Sequence, residues 1–455
     1  MSLKSINPAT GQVLTTVREE SSKTVQEKIE KAQEAFQEWK KKAIPVRAKH
    51  LRAAADLLRE RKQQYARLIT EEMGKPIAQS HAEIEKCAWV CDYYAEHAKM
   101  ILKDEVIKTE APNSYVSFEP LGVVLAVMPW NFPFWQVFRF AAPALVAGNV
   151  GLLKHASNVP QCAQAIEEVW RDAALPPHAF QALFVSSGKV KRIIEHPHIV
   201  AVTLTGSEYA GSKVAEVAGR NIKKTVLELG GSDPFIVLKE ANLKEAAKVA
   251  VQSRMINNGQ SCIAAKRIIV EESIAKSFLA LLEKEIKALK VGDPQQQDTQ
   301  IGPLAREEFI KDLNDLVRGS VKKGAKVILG SEPSKRKGYF YKPSLISGVK
   351  PGMPLFDKES FGPVLPVILA KDEEEAISLA NQSDYGLGGA IWTENKELAQ
   401  RLVKQLQVGS VAVNGMVASD PRIPFGGIKR SGYGRELSHF GVKEFVNIKS
   451  VVFHN

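Results

Sequence analysis

The sequence predicts an α/β protein in which parallel β-sheets carry helices on both faces. Short apolar segments, for example residues 123–128 and 201–204, alternate with longer amphipathic segments such as residues 161–174. Strands buried on both faces of a parallel sheet are continuous apolar runs of this kind, and the helices between them form the crossovers. A second alternation begins at about residue 230. Because ligands of such sheets bind beyond the carboxyl ends of the strands, we expect the functional residues there.

Composition and charge narrow the class of protein further. The 455 residues are 44% hydrophobic and 25% charged, which is typical of a globular protein with two large domains or three smaller ones. The net charge of +11, from 62 basic and 51 acidic residues, favours anionic ligands. The lysines are spread along the chain, so we expect no nucleic-acid partner. Four scattered cysteines predict a reducing, cytoplasmic location without a disulfide framework.

The most apolar part of the chain, residues 121–154, is long enough to raise the question of a membrane span. Prolines, glycine and Arg139 interrupt it repeatedly, so the pattern favours a buried strand, a turn and a buried helix. The N-terminus carries no apolar run, and we expect neither a signal peptide nor a membrane partner.

The first third of the chain is predicted to be helical. Thr24 and Glu27 form a capping-box pattern at the start of a first helix. A second helix is predicted over residues 45–73 and a third over residues 82–102. Cys87 and Cys91 lie one turn apart on the third helix. With no other Cys or His nearby, we expect them to pack in the core, and we expect no metal site.

The remaining elements alternate. Strands are predicted at residues 123–128, 151–153, 182–185, 201–204, 225–229, 267–270, 364–369 and 388–392. Helices are predicted at residues 161–174, 207–218, 242–255, 274–289, 373–381 and 396–405. Residues 330–354, rich in Gly, Pro, Ser and Lys, are predicted to be an irregular surface excursion.

Cys262 is a candidate nucleophile. It follows a polar segment that contains Asn257, Asn258 and Gly259. The thiolate is the reactive form of cysteine, and it needs a dipolar or electropositive setting that such neighbours offer. A lone cysteine is also often a buried structural residue, so the pattern alone leaves both interpretations open.

Glu228 and Asn131 are the other candidate catalytic residues, since each follows an apolar run. Partial burial would raise the pKa of the Glu228 carboxyl and suit it to general-base work, although its side chain could equally point to solvent. Pro129 and Pro133 fix the backbone around Asn131, which would present its amide rigidly to an oxyanion. A local Asx hydrogen bond is the alternative.

Gly206 and Ser207 follow a predicted strand and open a helix, whose free N–H groups could hold a phosphate. The segment matches neither the G-x-G-x-x-G nor the Walker A pattern. Ser207 could instead simply cap the helix.

In combination these segments resemble the aldehyde dehydrogenase superfamily, and the resemblance covers essentially the whole chain. It rests on PWNFP at 129–133, LELGG at 227–231, NGQSC at 258–262, ESFGP at 359–363 and PFGG at 424–427. Bacterial succinate-semialdehyde dehydrogenases are the most similar group, through KHASN at 154–158, GGSDP at 230–234 and GYGRELSHFG at 432–441.

The resemblance implies two doubly wound parallel-sheet domains and a small β arm through which subunits assemble. Residues 1–102 and 120–230 would form the dinucleotide-binding domain, residues 231–425 the catalytic domain, and residues 103–119 with 440–455 the oligomerisation arm. Pairing of the arm between subunits would cover edge strands that otherwise invite aggregation. A homodimer or homotetramer is therefore expected.

The resemblance also implies roles for individual residues. Cys262 would be the nucleophile, Asn131 and the Cys262 N–H would hold the oxyanion, and Glu228 would activate the hydrolytic water. The residues expected around the dinucleotide are Trp130, Lys154, Ser157, Gly206, Ser207, Leu229, Glu359 and Phe361. Lys154 and Glu359 would hold the ribose hydroxyls, and this chain has His155 where many relatives have Pro.

Ser157 bears on the choice between NAD and NADP. Relatives strict for NAD often carry Glu at this position, where its carboxylate would repel a 2′-phosphate. Ser157 removes that repulsion and Lys154 adds a nearby cation. We therefore expect that either NAD or NADP can bind.

Arg139 is the predicted substrate ligand, because the matching Arg of succinate-semialdehyde dehydrogenases holds the distal carboxylate. The alternative is an internal ion pair, since an Arg in so apolar a stretch needs a partner. Some relatives place a second Arg where this chain has Ile256. Ser419 or Arg422 could compensate, and Trp135 and Phe138 are expected to line the substrate tunnel.

The predicted function is oxidation of succinate semialdehyde to succinate, with NAD or NADP as hydride acceptor, through a thiohemiacetal and a thioester on Cys262. The alternatives are oxidation of another aldehyde, such as glutarate semialdehyde or an aliphatic aldehyde, transfer of the acyl group to CoA, and a non-enzymatic binding protein. CoA-acylating relatives usually lack a glutamate that matches Glu228, which favours hydrolysis.

Overall fold

The structure is a computed structural model that describes residues 2–454. Its α-helices are α1 (Ser22–Trp39), α2 (Ile44–Glu60), α3 (Lys62–Met73), α4 (Ile77–Ile101), α5 (Trp135–Ala147), α6 (Pro160–Asp172), α7 (Val190–Glu195), α8 (Glu208–Arg220), α9 (Leu243–Met255), α10 (Ala275–Lys287), α11 (Glu308–Lys322), α12 (Pro354–Asp357), α13 (Glu373–Asn381), α14 (Lys396–Gln405) and α15 (Ser438–Lys443). Its β-strands are β1 (Ser2–Ile6), β2 (Val13–Arg18), β3 (Glu105–Val106), β4 (Asn113–Pro120), β5 (Val123–Met128), β6 (Val150–His155), β7 (Phe180–Ala182), β8 (Ile199–Thr205), β9 (Lys224–Glu228), β10 (Asp233–Val237), β11 (Ala265–Glu271), β12 (Lys326–Leu329), β13 (Ser344–Ser347), β14 (Val364–Ala370), β15 (Tyr385–Gly386), β16 (Gly388–Trp392), β17 (Ser410–Val413), β18 (Ile428–Lys429), β19 (Gly432–Tyr433) and β20 (Val446–Phe453).

A six-stranded sheet in the order β19-β9-β8-β5-β6-β7 forms the first α/β unit. All neighbouring strands are parallel except β19, which pairs antiparallel with β9. The chain runs outward from β5 to β6 and β7 on one side, and then from β8 to β9 on the other. This reversal makes the carboxyl ends of β5 and β8 the switch point, where such sheets bind ligands.

A seven-stranded sheet in the order β12-β13-β14-β11-β10-β16-β17 forms the second unit, parallel apart from β12. The prediction of an irregular surface excursion at residues 330–354 is wrong for its middle, because β13 lies inside this sheet. Leu345 and Ile346 of β13 are fully buried. The strand has four residues between Pro343 and Gly348, too few to stand out from the turn-forming residues around it.

The helical first third differs from prediction at three points. The first is that α4 begins at Ile77, five residues before the predicted start at residue 82. The predicted helix over residues 45–73 is two helices, α2 and α3, which break at Arg61, where φ is −99° and ψ is 17°. The first helix is capped by Ser21, whose hydroxyl accepts from the Thr24 N–H at 3.0 Å, so the predicted cap at Thr24 is wrong. Cys87 and Cys91 are both fully buried on α4.

Strands β3, β4 and β20 form a separate antiparallel sheet in the order β20-β4-β3. This sheet lies in the segments predicted as the oligomerisation arm. The two larger sheets fall on either side of the predicted domain boundary at residue 230, except that β19, at residues 432–433, belongs to the first of them. The division into domains stays a prediction. Strand β20 is an edge strand that exposes Ile448, Val452 and Phe453. Among the described residues, no helix combines the length and the apolar character that crossing a membrane requires.

Candidate active site

A cleft of about 290 Å³ opens at the switch point, between the two large sheets. Segments that follow β5, β8 and β9 line it, together with Cys262 from the second unit. The predicted residues in its lining are Trp130, Asn131, Gly206, Ser207, Leu229, Cys262, Glu359 and Phe361. Residues that are distant in the sequence therefore meet because parallel strands end at the same edge of a sheet.

The loop before Cys262 has an unusual backbone that its contacts hold in place. Asn257 and Asn258 have φ angles of 52° and 59°, in the left-handed region that few residues other than glycine adopt. The Asn258 side chain donates to the backbone carbonyls of Gly74 and Pro303, both at 2.9 Å. At Gly259, with φ at +77°, a Cβ would overlap the backbone of Gly362. Such conformations persist where the surroundings determine them, and they are common at functional sites.

The amide of Asn131 is fixed against this loop. Its Nδ2 donates to the carbonyl of Gln260 at 3.1 Å, and Asn257 Nδ2 donates back to the carbonyl of Asn131 at 2.6 Å. Asn131 and Cys262 line the same cleft. The side-chain amide is therefore fixed in the cleft that the thiol lines, and its second N–H is free to donate to an oxyanion.

Helix α5, which begins just after Asn131, is capped from another helix. Glu83 on α4 accepts from the N–H groups of Phe134 at 2.9 Å and Trp135 at 3.0 Å. The same carboxylate is ion-paired with Lys75, and both side chains are buried. A carboxylate at a helix N-terminus is stabilised by the free N–H groups and the helix dipole, so α4 holds the turn that carries Asn131.

Cys262 is partly exposed in the lining of the cleft. Burial of the sulfur raises the pKa of its thiol from 9.0 to about 11, while the positive charges of Lys266 and Arg139 act in the opposite direction. In the free protein the thiol is therefore mostly protonated at neutral pH. The thiolate is the reactive form, so reaction requires that the proton leave when substrate and cofactor are bound.

Glu228 lies outside the lining of the cleft. Its side chain is 2% exposed, and neither carboxyl oxygen has a hydrogen-bond partner among the described residues. The carboxyl points toward Gly426, where an added Cβ would meet Oε1 at 2.7 Å. Burial, and then repulsion from Glu436, raise the pKa of Glu228 well above its usual value, while Arg139 lowers it. The structure thus holds Glu228 as a buried acid outside the cleft that Cys262 lines.

A second cavity, of about 200 Å³, continues from Cys262 on the side away from the cleft. We call it the tunnel. Trp135, Arg139 and Ser419 line it as predicted. Phe138 does not, because it is fully buried and stacks on Phe134 and Trp170 in the core.

The prediction for Phe138 is wrong because of helical geometry. Successive residues of a helix turn by about 100°, so Trp135 and Arg139 share a face. Relative to Trp135, Arg139 lies about 40° to one side around the helix and Phe138 about 60° to the other. Phe138 is therefore roughly 80° from the middle of that face and enters the core.

Arg139 is held inside the protein by partners of its own. It is ion-paired with Glu436, and the two side chains are 2% and 4% exposed. It also contacts Thr205 Oγ1 at 3.3 Å and lies 4.7 Å from the ring centre of Phe425. The internal ion pair, the alternative interpretation of this residue, is therefore present. Arg422 lies outside the tunnel lining and pairs with Asp420.

The whole chain matches one protein family. The sequence model for the Aldehyde dehydrogenase family matches residues 1–451. The chain belongs to this family. A probable NADP(+) succinate-semialdehyde dehydrogenase of Synechocystis sp. is 52% identical over 451 residues, covering 99% of each chain. The NAD(P)+ succinate semialdehyde dehydrogenase of Escherichia coli K12 is 44% identical over 447 residues, covering 98% of this chain and 97% of that one.

A solved structure of similar shape holds a cofactor. The crystal structure of succinic semialdehyde dehydrogenase from Streptococcus pyogenes in complex with NADP+ has a TM-score of 0.97 and 38% identity to this aldehyde dehydrogenase, with both chains covered completely. The succinate-semialdehyde dehydrogenase of Burkholderia pseudomallei has the same TM-score and 32% identity, covering 100% of this chain and 95% of that one.

The cleft of this aldehyde dehydrogenase has the groups that a dinucleotide needs. Glu359 accepts from the Gly231 N–H at 3.1 Å and is ion-paired with the buried Lys266 at 3.0 Å. A Cβ at Gly230 would overlap the Glu359 carboxylate. The glycine therefore allows this carboxylate to lie against the backbone, where it can accept hydrogen bonds from a ribose.

Lys154 and Ser157 lie beyond the lining of the cleft, at and just after the end of β6. Lys154 is buried, and no carboxylate pairs with it among residues 2–454. Burial, and then repulsion from Arg306, lower the pKa of Lys154 to about 8. Arg306 also donates to Asn158 at 3.0 Å. Both cations thus lie near the segment that contains Ser157, and Arg306 is also paired with Glu308 at 3.2 Å.

Sequence reasoning missed two contributions to the site. The first is α11, whose Phe309, Leu313 and Leu316 line the cleft and whose Phe309 stacks on Trp130 with ring centres 5.1 Å apart. The helical spacing of these apolar residues could have revealed it. The second is Lys86, which lines the tunnel. A single lysine on a predicted helix gives no such signal.

Proposed function

We propose that this aldehyde dehydrogenase oxidises succinate semialdehyde to succinate, with NADP, or alternatively NAD, as hydride acceptor. The observation that carries the proposal is the position of Cys262, which lines both the dinucleotide-compatible cleft and a tunnel containing cationic side chains. The names of the Synechocystis and E. coli relatives support the choice of substrate and cofactor.

In the proposed mechanism, the Cys262 thiolate adds to the aldehyde carbon and forms a C–S bond. The carbonyl oxygen becomes an oxyanion that the Asn131 amide and the Cys262 N–H stabilise. Such prepositioned donors contribute most where charge develops in the transition state. A dinucleotide held in the cleft by groups such as the Glu359 carboxylate would supply the acceptor for the hydride that leaves the same carbon. Loss of this hydride converts the thiohemiacetal into a thioester.

Hydrolysis of the thioester requires a base, and we assign this role to Glu228. Its carboxyl has no hydrogen bond to lose in its present position, so rotation toward Cys262 breaks no polar contact. Once turned out of its buried position, the carboxyl loses its proton, because the burial that raises its pKa is relieved. The carboxylate then takes a proton from water as the water attacks the thioester carbon. The C–S bond then breaks with its electron pair going to sulfur, so succinate is released and Cys262 returns to the thiolate that begins the next turnover.

Variants of Cys262 and Glu228 test this mechanism. Cys262→Ala should abolish reduction of NADP by succinate semialdehyde, because no covalent intermediate forms. Glu228→Gln should slow turnover and leave an acyl adduct that intact-mass measurement detects on the protein. Native turnover in Cys262→Ala would exclude the nucleophile, and Glu228→Gln with neither an adduct nor slower turnover would exclude the base.

A panel of aldehydes tests the substrate. We expect kcat/KM for succinate semialdehyde to exceed that for butanal, which lacks the distal carboxylate. A higher value for glutarate semialdehyde or for an aliphatic aldehyde would replace the proposed substrate. Dependence of turnover on CoA would replace hydrolysis with acyl transfer.

We also propose that the protein is a cytoplasmic homodimer or homotetramer that assembles through strand β20. The exposed edge of this strand and its apolar side chains favour pairing with another subunit. The four cysteines are free thiols, which supports a reducing compartment. Light scattering should give two or four subunits, and a monomeric mass would refute the assembly.

A further inference from the structure

Lys86 on α4 is the tunnel's cation without a carboxylate partner. The other two charged groups that line the tunnel are already paired, Arg139 with Glu436 and Glu83 with Lys75. Among residues 2–454, no carboxylate lies within ion-pair distance of Lys86. Its ammonium instead contacts Ser419 Oγ at 2.8 Å and lies 4.4 Å from the ring centre of Trp135.

Lys86 lies at the end of the tunnel that is remote from the thiol. Cys262 and Gln136 line both the cleft and the tunnel, so the two cavities meet there. Lys86 and residues 416–419 line both the tunnel and a further cavity of about 430 Å³. A molecule whose aldehyde is at Cys262 therefore extends its other end toward Lys86 and Ser419.

The donors at this end fit a carboxylate. An ammonium has three N–H donors, and Lys86 gives one of them to Ser419. The Ser419 oxygen accepts that bond, which leaves its own O–H free to donate. Two ammonium donors and one hydroxyl donor thus remain for the two oxygens of a carboxylate.

We infer that Lys86, together with Ser419, binds the distal carboxylate of the aldehyde substrate and sets the preference for acidic aldehydes. Arg139 has the separate task of neutralising buried carboxyl groups. The inference rests on the proposed function, since it names the residue that recognises the substrate's tail.

The charged groups around Lys86 leave its ammonium without a neutralising anion. Arg139 repels its charge, and the nearby acids Glu83 and Asp420 are held by Lys75 and Arg422. Burial lowers the pKa of Lys86 to about 8. A bound carboxylate would favour the charged form.

Lys86→Met tests the inference, because it removes the charge and keeps the length of the side chain. We expect kcat/KM for succinate semialdehyde to fall roughly 10- to 100-fold, as for loss of a hydrogen bond to a charged group, while kcat/KM for butanal changes less than about threefold. Lys86→Arg should restore most of the preference for the acidic aldehyde. Lys99→Met, at an exposed position of the same helix, is the matched control. It should leave kcat/KM unchanged for both succinate semialdehyde and butanal.

Equal losses of Lys86→Met on both aldehydes would show a structural role and overturn the inference. A second readout does not depend on turnover. Succinate in the tunnel should slow alkylation of Cys262 by iodoacetamide in the wild type and in Lys99→Met. In Lys86→Met the same concentration of succinate should slow this alkylation far less.

Equal protection by succinate in all three proteins, or none in the wild type, would overturn the inference. The proposed function fails by a different result, namely a wild type that does not prefer succinate semialdehyde to butanal. The two failures are therefore distinguishable.

Discussion

Replacing Arg139 with leucine should destabilise the folded protein, whatever it does to substrate binding. The substitution removes the cation from a buried pair in which Arg139 is 2% and Glu436 is 4% exposed. It also takes away a charge that lowers the pKa of the buried Glu228. Removing one partner of a buried ion pair costs about 3–5 kcal/mol, because the other charge stays in a medium of low dielectric.

The pH dependence of this loss has a definite sign. Burial already raises the pKa of Glu436, and Arg139 is the largest influence that lowers it. Without Arg139 both carboxyl groups should hold their protons to higher pH in the folded state, while in the unfolded chain they ionise near pH 4.5. Stability should therefore increase as the pH falls from 7 toward 5, more steeply in the variant than in the wild type.

Urea unfolding at pH 7 and pH 5 measures both effects. Arg139→Leu with Glu436→Gln should regain part of the loss, because the second charge is gone. Arg220→Leu, which breaks the exposed pair with Glu216, is the control and should leave the unfolding midpoint unchanged within error. If Arg139→Leu is as stable as the wild type and loses only its activity on succinate semialdehyde, Arg139 is a substrate ligand and our reasoning is wrong.

Further predictions concern the thiol, the helix cap and the cofactor cleft. Alkylation of Cys262 in the free enzyme should accelerate about tenfold per pH unit from pH 7 to 9, because its thiol has a pKa of about 11; a plateau below pH 8 would contradict this. Glu83→Gln should lower both the thermal midpoint and kcat, since the cap of α5 weakens, and unchanged values of both would exclude that role. Gly230→Ala should displace Glu359 and weaken NADPH binding in a fluorescence titration, without effect on alkylation of the thiol. Ser157→Glu should weaken binding of NADP more than binding of NAD. Equal losses of affinity for the two dinucleotides would place the 2′-phosphate elsewhere.

Strands and helices could be predicted from the sequence wherever a single segment shows a recognisable hydrophobic pattern. The apolar runs that became β5, β8 and β9 need no distant information, because a strand buried on both faces is apolar throughout. The same holds for the residues at their carboxyl ends, since parallel strands bring Asn131, Gly206 and Leu229 to one edge. The short β13 carries too little pattern to be recognised.

Side-chain partners were much harder to predict, because they depend on contacts between distant segments. Arg139 and Glu436 are almost 300 positions apart, and no periodicity links them. For Glu228 the sequence left a buried and a solvent-exposed side chain equally open, because its burial and its direction follow from how β19 and the segment around Gly426 pack against it. Lys86 stands out only in the structure, where the other charged groups that line the tunnel, Glu83 and Arg139, are paired with Lys75 and Glu436.

Helix α4 contributes residues near both ends of the tunnel. Glu83 holds the start of α5 beside the oxyanion donor, and Lys86, one turn further along, faces the far end of the tunnel. Because the rise of a helix is fixed at 1.5 Å per residue, the separation between these two supports is a rigid property of one element. If Lys86 binds the substrate's carboxylate as we propose, α4 links the position of that ligand to the position of the turn that carries Asn131.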